Sequence, residues 1–193
     1  MRILAGRHRG RRLVAPEGLA TRPTGARARA ALFNILDHAI LPAEGRDFAG
    51  ARVLDLFAGS GALGLEALSR GAAYALFVDE GPDARAAIRS NIEALGETGR
   101  TRIFRRDARA LGPRPGTVPA PFDLVFCDAP YGSEAHLPSL ASAAQGWLAP
   151  GALAVVETAA GEAESVPEGF AALDGRVYGE TRLAFLRWAG GAD

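Results

Sequence analysis

The sequence contains no lysine and only one cysteine, Cys127. A single cysteine excludes an intramolecular disulfide and a zinc site built from cysteine pairs, and it fits a reducing compartment, so we expect a cytoplasmic protein. The three histidines, His8, His38 and His136, lack the spacing of metal ligands, and we expect no metal site. No apolar run approaches transmembrane length, and the N-terminus lacks the apolar stretch of a signal peptide, so neither membrane insertion nor export is indicated.

Because lysine is absent, every basic side chain is a guanidinium, which can bind phosphate through two hydrogen bonds and can stack on bases. The net charge is zero, yet residues 1–36 contain eight arginines and one acid, Glu17, so the rest of the chain is net acidic. This asymmetry indicates a basic segment that binds a polyanion. The arginines are Arg2, Arg7, Arg9, Arg11, Arg12, Arg22, Arg27 and Arg29.

The first 26 residues are predicted to form a basic arm. Residues 2–5 and 12–15 can be extended, and the arginine-rich segment between them begins and ends near glycines, which predicts a hairpin-like arm. A mobile, solvated tail is the alternative.

A helix is predicted after the arm, because residues 27–41 have apolar side chains at helical spacing. Arg27 and Arg29 lie near the start of this helix, where its dipole disfavours cations, so we expect them to face an anionic ligand.

A glycine loop is the most informative local pattern. An apolar strand at residues 53–57 is followed by Gly59, Gly61 and Gly64 and then by helix-forming residues up to Arg70. Glycines at such a turn permit positive φ and close approach of a ligand, and the helix presents unpaired N–H groups to it. The sequence therefore predicts a nucleotide-type cofactor site.

An acid inside this strand helps to identify the cofactor. The carboxylate of Asp55 would lie unbalanced near the pyrophosphate of a dinucleotide, whereas it suits a cationic ligand such as the ammonium or sulfonium of S-adenosylmethionine. Asp79 ends the next apolar run, where an acid can bind ribose hydroxyls, but such an acid serves either cofactor. Asp55 therefore favours the methyl donor, with a nicotinamide dinucleotide as the alternative.

Alternating strands and helices follow the glycine loop. Strands are predicted at residues 74–79, 102–105, 122–127 and 152–157, helices at 82–95 and 137–148, and two antiparallel strands near the C-terminus. The 82–95 helix should end at Gly96, and Pro150 with Gly151 should form a turn before the 152–157 strand. The expected buried face of the 82–95 helix consists of Ala84, Ala87, Ile88, Asn91, Ile92 and Leu95. We expect an α/β fold of Rossmann-like class I methyltransferase type, with a mostly parallel seven-stranded sheet and helices on both faces, in residues 27–193. The aspartates that fall at predicted strand ends are Asp55, Asp79, Asp107 and Asp128.

The tetrapeptide at residues 128–131, Asp-Ala-Pro-Tyr, can present an amine for methylation. A base amine is a poor nucleophile, so it needs two acceptors on its hydrogens, which the Asp128 carboxylate and the Ala129 carbonyl can provide. Pro130 stiffens the turn and Tyr131 offers a face on which a base can stack. The alternative is an Asp-Pro turn with a tyrosine at the edge of the core.

Covalent catalysis by the thiol of Cys127 is disfavoured. Side chains alternate along a strand, so Cys127 should point away from the site if Asp128 faces it.

These patterns together resemble class I S-adenosylmethionine-dependent methyltransferases that act on amines. More closely, the chain resembles the bacterial small-subunit (16S) ribosomal RNA guanine-N2 methyltransferase family. The matching segments are residues 1–6, 9–11, 21–24, 31–34, 53–72, 128–131 and 178–181, which span nearly the whole chain. The glycine loop is common to the superfamily, whereas the N-terminal segments in this order are typical of the family.

The resemblance implies S-adenosylmethionine as cofactor and small-subunit ribosomal RNA as partner, either naked or in an assembled particle, with a monomeric protein. The implied catalytic residues are Asp128, Ala129, Pro130 and Tyr131. The implied cofactor-binding residues are Asp55, Phe57, Ala58, Gly59, Gly61, Asp79, Glu80, Asp107 and Ala108. The implied RNA-binding residues are Arg7, Arg9, Arg11, Arg12, Arg22, Thr24, Arg27 and Arg29.

Two positions depart from the family pattern. Ala129 stands where the family usually has a second proline, and residues 24–30 lack the acids often found there. The first change leaves the backbone carbonyl in place, so activity should survive.

The alternatives to a ribosomal RNA guanine-N2 methyltransferase are an N-methyltransferase acting on DNA adenine N6 or protein glutamine, and a catalytically inactive RNA-binding homologue. A DNA enzyme would usually need a further target-recognition domain, and a glutamine enzyme would not explain the arginines.

Overall fold

The fold is known from a computed structural model that describes residues 1–16, 23–119, 121–163 and 165–190, without the side chains of residues 23 and 24. Seven strands form one sheet: β1 (Arg52–Leu56), β2 (Tyr74–Val78), β3 (Thr101–Phe104), β4 (Phe122–Asp128), β5 (Leu148–Ala159), β6 (Phe170–Tyr178) and β7 (Thr181–Trp188). Their order is β3-β2-β1-β4-β5-β7-β6. The first five strands are parallel, while β7 runs antiparallel to both β5 and β6.

This arrangement agrees with the expected Rossmann-like α/β fold, but the sheet is mixed. The reversal of β7 follows from its connection to β6, because Tyr178 pairs with Thr181 across a two-residue turn. Gly179 in that turn has φ of +63°, which glycine adopts without steric cost. A connection this short can join only antiparallel strands.

Helices cover both faces of the sheet. They are α1 (Pro23–Ile35), which continues through a π-helical turn (Leu36–Ile40) into α2 (Leu41–Ala43), then α3 (Ala62–Ser69), α4 (Pro82–Leu95) and α5 (His136–Ala144). Helices α1, α3 and α4 contribute to the apolar cluster on one face, and α5 packs with Trp147 on the other. The first helix thus begins four residues before its predicted start.

Apolar spacing predicted the buried face of α4 correctly. Its side chains pack against the sheet at the expected helical positions, and Gly96, in the left-handed conformation, ends the helix as expected. The buried residues of α4 are Ala84, Ala87, Ile88, Asn91, Ile92 and Leu95.

Cys127 is 1% exposed and belongs to the apolar cluster on one face of the sheet, whereas its neighbour Phe126 belongs to the cluster on the other face. The predicted position of Cys127 inside the packing is therefore confirmed.

The predicted boundaries around β5 were wrong. Helix α5 ends at Ala144 rather than at residue 148, and β5 extends to Ala159 and includes Pro150 and Gly151, which we expected to form a turn before it. The strand accommodates them because its pairing with β4 shifts register between Phe122 and Leu124. Glu157 consequently lies inside the strand rather than at its end.

The described part of the N-terminal arm is docked on the body and is not a free tail. A single antiparallel bridge joins Arg2 and Arg12, and the side chains of Ile3 and Leu13 are buried in the core. The fully buried Glu66 of α3 accepts hydrogen bonds from the backbone N–H groups of residues 4 and 5, at 2.7 and 3.0 Å. Residues 1–16 therefore pack as part of the domain.

A buried carboxylate and a buried amide hold the rest of this arm. Glu97 is 2% exposed and lies 2.5 Å from the side chains of both Arg7 and His8. Asn91, fully buried on α4, accepts a hydrogen bond from the N–H of Val14 and donates to its carbonyl and to the carbonyl of Ser60. Asn91 therefore connects the arm to the glycine loop.

We expect Asn91→Ala to lower the free energy of unfolding by about 2–4 kcal/mol, because three backbone groups lose their partner in a largely dry environment. Urea unfolding measures the loss, and hydrogen exchange should speed up at the Val14 amide. Ser90→Ala, on the exposed side of the same helix, is the control and should change stability by less than about 0.5 kcal/mol. Equal stabilities for the two variants would contradict the proposed link.

Candidate active site

The carboxyl ends of the central parallel strands bring three acids to one edge of the sheet. Asp55 lies on β1, Asp79 follows β2, and Asp128 ends β4. Strand β1 pairs with both β2 and β4, so the three acids belong to adjacent strands. The grouping expected from the sequence for these residues is present in the fold.

Two of these acids hold the glycine loop. The Asp55 carboxylate accepts a hydrogen bond of 2.9 Å from the N–H of Gly64, and the Asp79 carboxylate accepts one of 2.8 Å from the N–H of Gly59. A side chain at Gly64 would clash, because its Cβ would lie 2.5 Å from a ring carbon of Phe77. The loop can therefore lie close against β1 and β2 only with glycine at this position.

The loop also contains backbone conformations that favour glycine. Gly59 and Gly61 have φ of +56° and +75°, and Gly61 leads directly into α3. Phe57 has φ of +57°, an uncommon conformation for a bulky residue, which typically costs about 1–3 kcal/mol. Such strain occurs often at ligand sites, and Phe57 lines both of the cavities described next.

Two adjoining cavities open at this edge. The larger, of about 580 Å³, is lined by Asp55, Asp128 and Glu157 and by residues 57–60 of the loop, and it is bounded by the arm and α1. The smaller, of about 280 Å³, is lined by Asp79, Glu80 and residues 106–109. Among the residues expected to bind a cofactor, Gly61 alone lines neither cavity; it turns the chain into α3. The cavity-lining members of that set are Asp55, Phe57, Ala58, Gly59, Asp79, Glu80, Asp107 and Ala108.

Asp55 is the buried acid of the larger cavity. Burial raises the pKa of Asp55 well above its ordinary value, and the charges of Asp128 and Asp79 raise it further, against the opposing hydrogen bond from Gly64. A carboxylate that is costly to ionise alone is stabilised in its ionised form by a nearby cation. The cavity is therefore suited to a ligand with a positively charged group.

Two of the four residues at positions 128–131 line the cavities described above, whereas Ala129 and Tyr131 line neither of them. Asp128 lines the larger cavity and Pro130 the smaller one, while Ala129 is 5% exposed. The hydroxyl of Tyr131 donates to the Glu157 carboxylate at 2.8 Å and lies 2.9 Å from the Thr181 hydroxyl. These contacts fix the direction of the tyrosine ring.

The environment of Tyr131 keeps its phenol protonated. Burial, together with the neighbouring charge of Glu157, raises its pKa to about 12. Sequence reasoning missed Glu157 and Thr181 as partners of this ring. Glu157 pairs with Asp128 across adjacent parallel strands, and this register was the signal that could have placed it at the same edge.

The arginines expected to bind RNA occupy different environments. Arg9, Arg12 and Arg27 are exposed, whereas Arg7 is half-exposed and paired with Glu97. Arg29, which we expected to face an anionic ligand, is 9% exposed and lines the larger cavity. Arg11 is exposed and donates to the carbonyl of residue 94. Arg22 and the side chain of Thr24 lie outside the described residues.

Comparison with known proteins identifies the family. The model of the family described as Conserved hypothetical protein 95 matches residues 1–187. The chain belongs to this family. It is 37% identical to the ribosomal RNA small subunit methyltransferase D of Escherichia coli K12 over 161 residues, covering 82% of this chain and 74% of the relative. The corresponding protein of Haemophilus influenzae is 32% identical over 181 residues, which are 93% of this chain and 89% of that protein.

Solved structures extend this similarity to the fold. The E. coli protein yhhF is 30% identical, and its match covers 99% of this chain and 99% of that protein with a TM-score of 0.79.

The described segments contain no group of three or more His, Cys, Asp or Glu side chains placed to hold a metal ion. Within the same segments, no helix is both long and apolar enough to span a membrane.

Proposed function

We propose that this protein transfers a methyl group from S-adenosylmethionine to the exocyclic N2 amine of a guanine in small-subunit ribosomal RNA. The observation that carries the proposal is the position of Asp128, which lines the same cavity as the buried Asp55 and the glycine loop. An amine acceptor and a cation site therefore share one space. Membership of the family and the names of its relatives supply the RNA substrate class.

The residues that line the two cavities fit S-adenosylmethionine. Asp55 can bind a positively charged group of its methionine end, Asp79 its ribose hydroxyls, and Asp107 with Ala108 its adenine. The close glycine loop leaves room for the ligand, since its residues 57–60 form part of the wall. When bound, S-adenosylmethionine supplies an electrophilic methyl group on a sulfonium.

The residues at 128–131 would position and activate the guanine amine. The Asp128 carboxylate and the Ala129 carbonyl accept hydrogen bonds from the two N–H groups of the amine. These hydrogen bonds favour localisation of the nitrogen lone pair for attack and stabilise the positive charge that develops on nitrogen. The ring of Tyr131, fixed by Glu157 and Thr181, offers a flat surface for the base. Because Ala129 contributes only its carbonyl, its difference from the family's proline leaves this chemistry intact.

The outward-facing arginines would bind the RNA backbone. Arg9, Arg12 and Arg27 are exposed and have no acidic partner among the described residues, so their guanidinium groups are available to phosphate. The arm from which two of them project also borders the larger cavity. Contacts of this kind position the RNA without reading its sequence.

We expect Asp128→Ala to reduce the methylation rate by about 10²–10³-fold, because one of the two acceptors for the amine hydrogens is lost. Affinity for S-adenosylmethionine should stay within a few-fold of wild type. Single-turnover transfer of labelled methyl to small-subunit ribosomal RNA and calorimetry give the two quantities. Asp83→Ala, an exposed acid in α4, is the control and should keep the wild-type rate. A wild-type rate in Asp128→Ala would remove this carboxylate from the mechanism.

Binding of S-adenosylmethionine should release a proton from Asp55. Because burial raises the pKa of this carboxyl in the folded protein, the ligand-free form keeps its proton to a higher pH than an ordinary aspartate does, and a cationic ligand binds the ionised form more tightly. Affinity should therefore rise with pH until Asp55 is fully ionised, by at most about tenfold per pH unit. Calorimetry in buffers of different ionisation enthalpy counts the protons.

The control for this linkage is Asp55→Asn, which keeps an oxygen for the Gly64 hydrogen bond but has no charge. It should bind more weakly than wild type and show no proton release. If wild-type affinity were independent of pH and no proton were released, the cation would bind elsewhere.

Replacing Arg9, Arg12 and Arg27 together by alanine should weaken RNA binding and flatten its dependence on salt. Removing one arginine–phosphate interaction should reduce the slope of log affinity against log salt by about 0.7–0.9. Filter binding across a salt series measures the slope. Replacing three exposed arginines elsewhere, Arg102, Arg176 and Arg187, removes the same charge and should leave the slope close to wild type. Equal slopes in the two triple variants would show a general charge effect.

A further inference from the structure

Arg29 is a buried cation in a cavity wall. It lies on α1, is 9% exposed and lines the larger cavity together with Asp55. One terminal nitrogen donates to the carbonyl of Arg2 at 2.8 Å, but its buried Nε atom has no hydrogen-bond partner in the described structure. A buried charged donor without a partner is costly, so the position of this guanidinium in a cavity wall needs a physical explanation.

The protein itself does not neutralise Arg29 with a dedicated acid. Glu66 is the acid whose charge acts on it, yet the Glu66 carboxylate is already bound by two backbone N–H groups of the arm and by Arg70. Burial lowers the pKa of Arg29 more than this attraction raises it. The guanidinium therefore lies in a cavity wall with capacity to bind an anion.

The same cavity contains the complementary charge. Asp55 is suited to a cation, and Arg29 is the buried cation among the described lining residues; the other lining arginine, Arg2, is exposed. A ligand that carries one positive and one negative group, such as the zwitterionic end of an α-amino acid, would satisfy both side chains. A phosphate would satisfy Arg29 but would be repelled by Asp55.

We propose that Arg29 binds the α-carboxylate of the methionine end of S-adenosylmethionine, in the cavity that also contains the cation site of Asp55. This inference rests on the function proposed above and adds a specificity determinant to it. This role distinguishes Arg29 from the outward-facing arginines near it, since Arg27, two residues earlier on the same helix, is exposed. The arm takes part as well, because the Arg2 carbonyl orients the guanidinium.

The test compares S-adenosylmethionine with decarboxylated S-adenosylmethionine, which keeps the sulfonium and the amine but has no carboxylate. Wild type should prefer the former by about 10–100-fold, as expected for a charge-assisted hydrogen-bonded pair. In Arg29→Gln the preference should fall to about threefold or less, mainly through weaker binding of S-adenosylmethionine. Calorimetry measures both affinities, so no turnover is needed.

Two further variants make the comparison sharp. Arg29→Lys keeps the charge without the two-pronged donor geometry, and it should retain an intermediate preference. Arg89→Gln removes an exposed arginine from α4 and should keep the wild-type preference. Thermal unfolding reports whether each variant is folded, and the ratio of the two affinities within one variant is unaffected by a partly unfolded fraction.

An unchanged preference in folded Arg29→Gln would overturn the inference while leaving the proposed function standing. The same holds if Arg29→Gln weakens RNA binding instead, because Arg29 would then be a phosphate contact. If wild type bound neither compound, the proposed function would fail, and this inference with it.

Discussion

The site depends on two carboxylates that hold one loop. Asp55 on β1 accepts a hydrogen bond from the N–H of Gly64 in the first turn of α3, and Asp79, directly after β2, accepts one from the N–H of Gly59 in the loop. These bonds draw the loop against the sheet, where a Cβ on Gly64 would clash with the ring of Phe77. The strand ends, the close turn and the cavity wall are therefore consequences of a single packing arrangement.

This arrangement has an electrostatic cost that shapes what can bind. Asp55 is 1% exposed and feels the charges of Asp79 and Asp128, so its ionised form is unfavourable in the absence of a cation. Arg29 is buried in the same wall with an unsatisfied nitrogen. A buried acid and a buried guanidinium in the lining of one cavity favour a dipolar ligand over a purely anionic dinucleotide.

Local sequence patterns predicted the parts of the fold that depend on neighbouring residues. The buried face of α4 followed from apolar spacing, and the carboxyl ends of the parallel strands followed from strand–helix alternation. The boundaries of β5 did not, since Pro150 and Gly151 normally indicate a turn and only the register shift against β4 admits them into a strand.

Contacts between distant segments could not be read from the sequence. Glu66, Asn91 and Glu97 appear as ordinary helical or loop residues, yet their partners in the arm lie 61 to 90 residues earlier in the chain. Packing of the whole domain decides that these side chains are buried and that groups of the arm become their hydrogen-bond partners. For the same reason the sequence could not distinguish Arg29, which lies inside the cavity, from the arginines that face outward.

The reversed strand β7 explains why the C-terminal hairpin belongs to the site. Because β7 is antiparallel to β5, its first residue, Thr181, pairs with Ala159 at the carboxyl end of β5. That end is the edge where the acids lie, so the Thr181 hydroxyl reaches Tyr131. A parallel β7 would have placed Trp188 there instead. The tight turn after Tyr178 thus contributes to the orientation of the Tyr131 ring, because it sets the antiparallel direction of β7 and with it the position of Thr181.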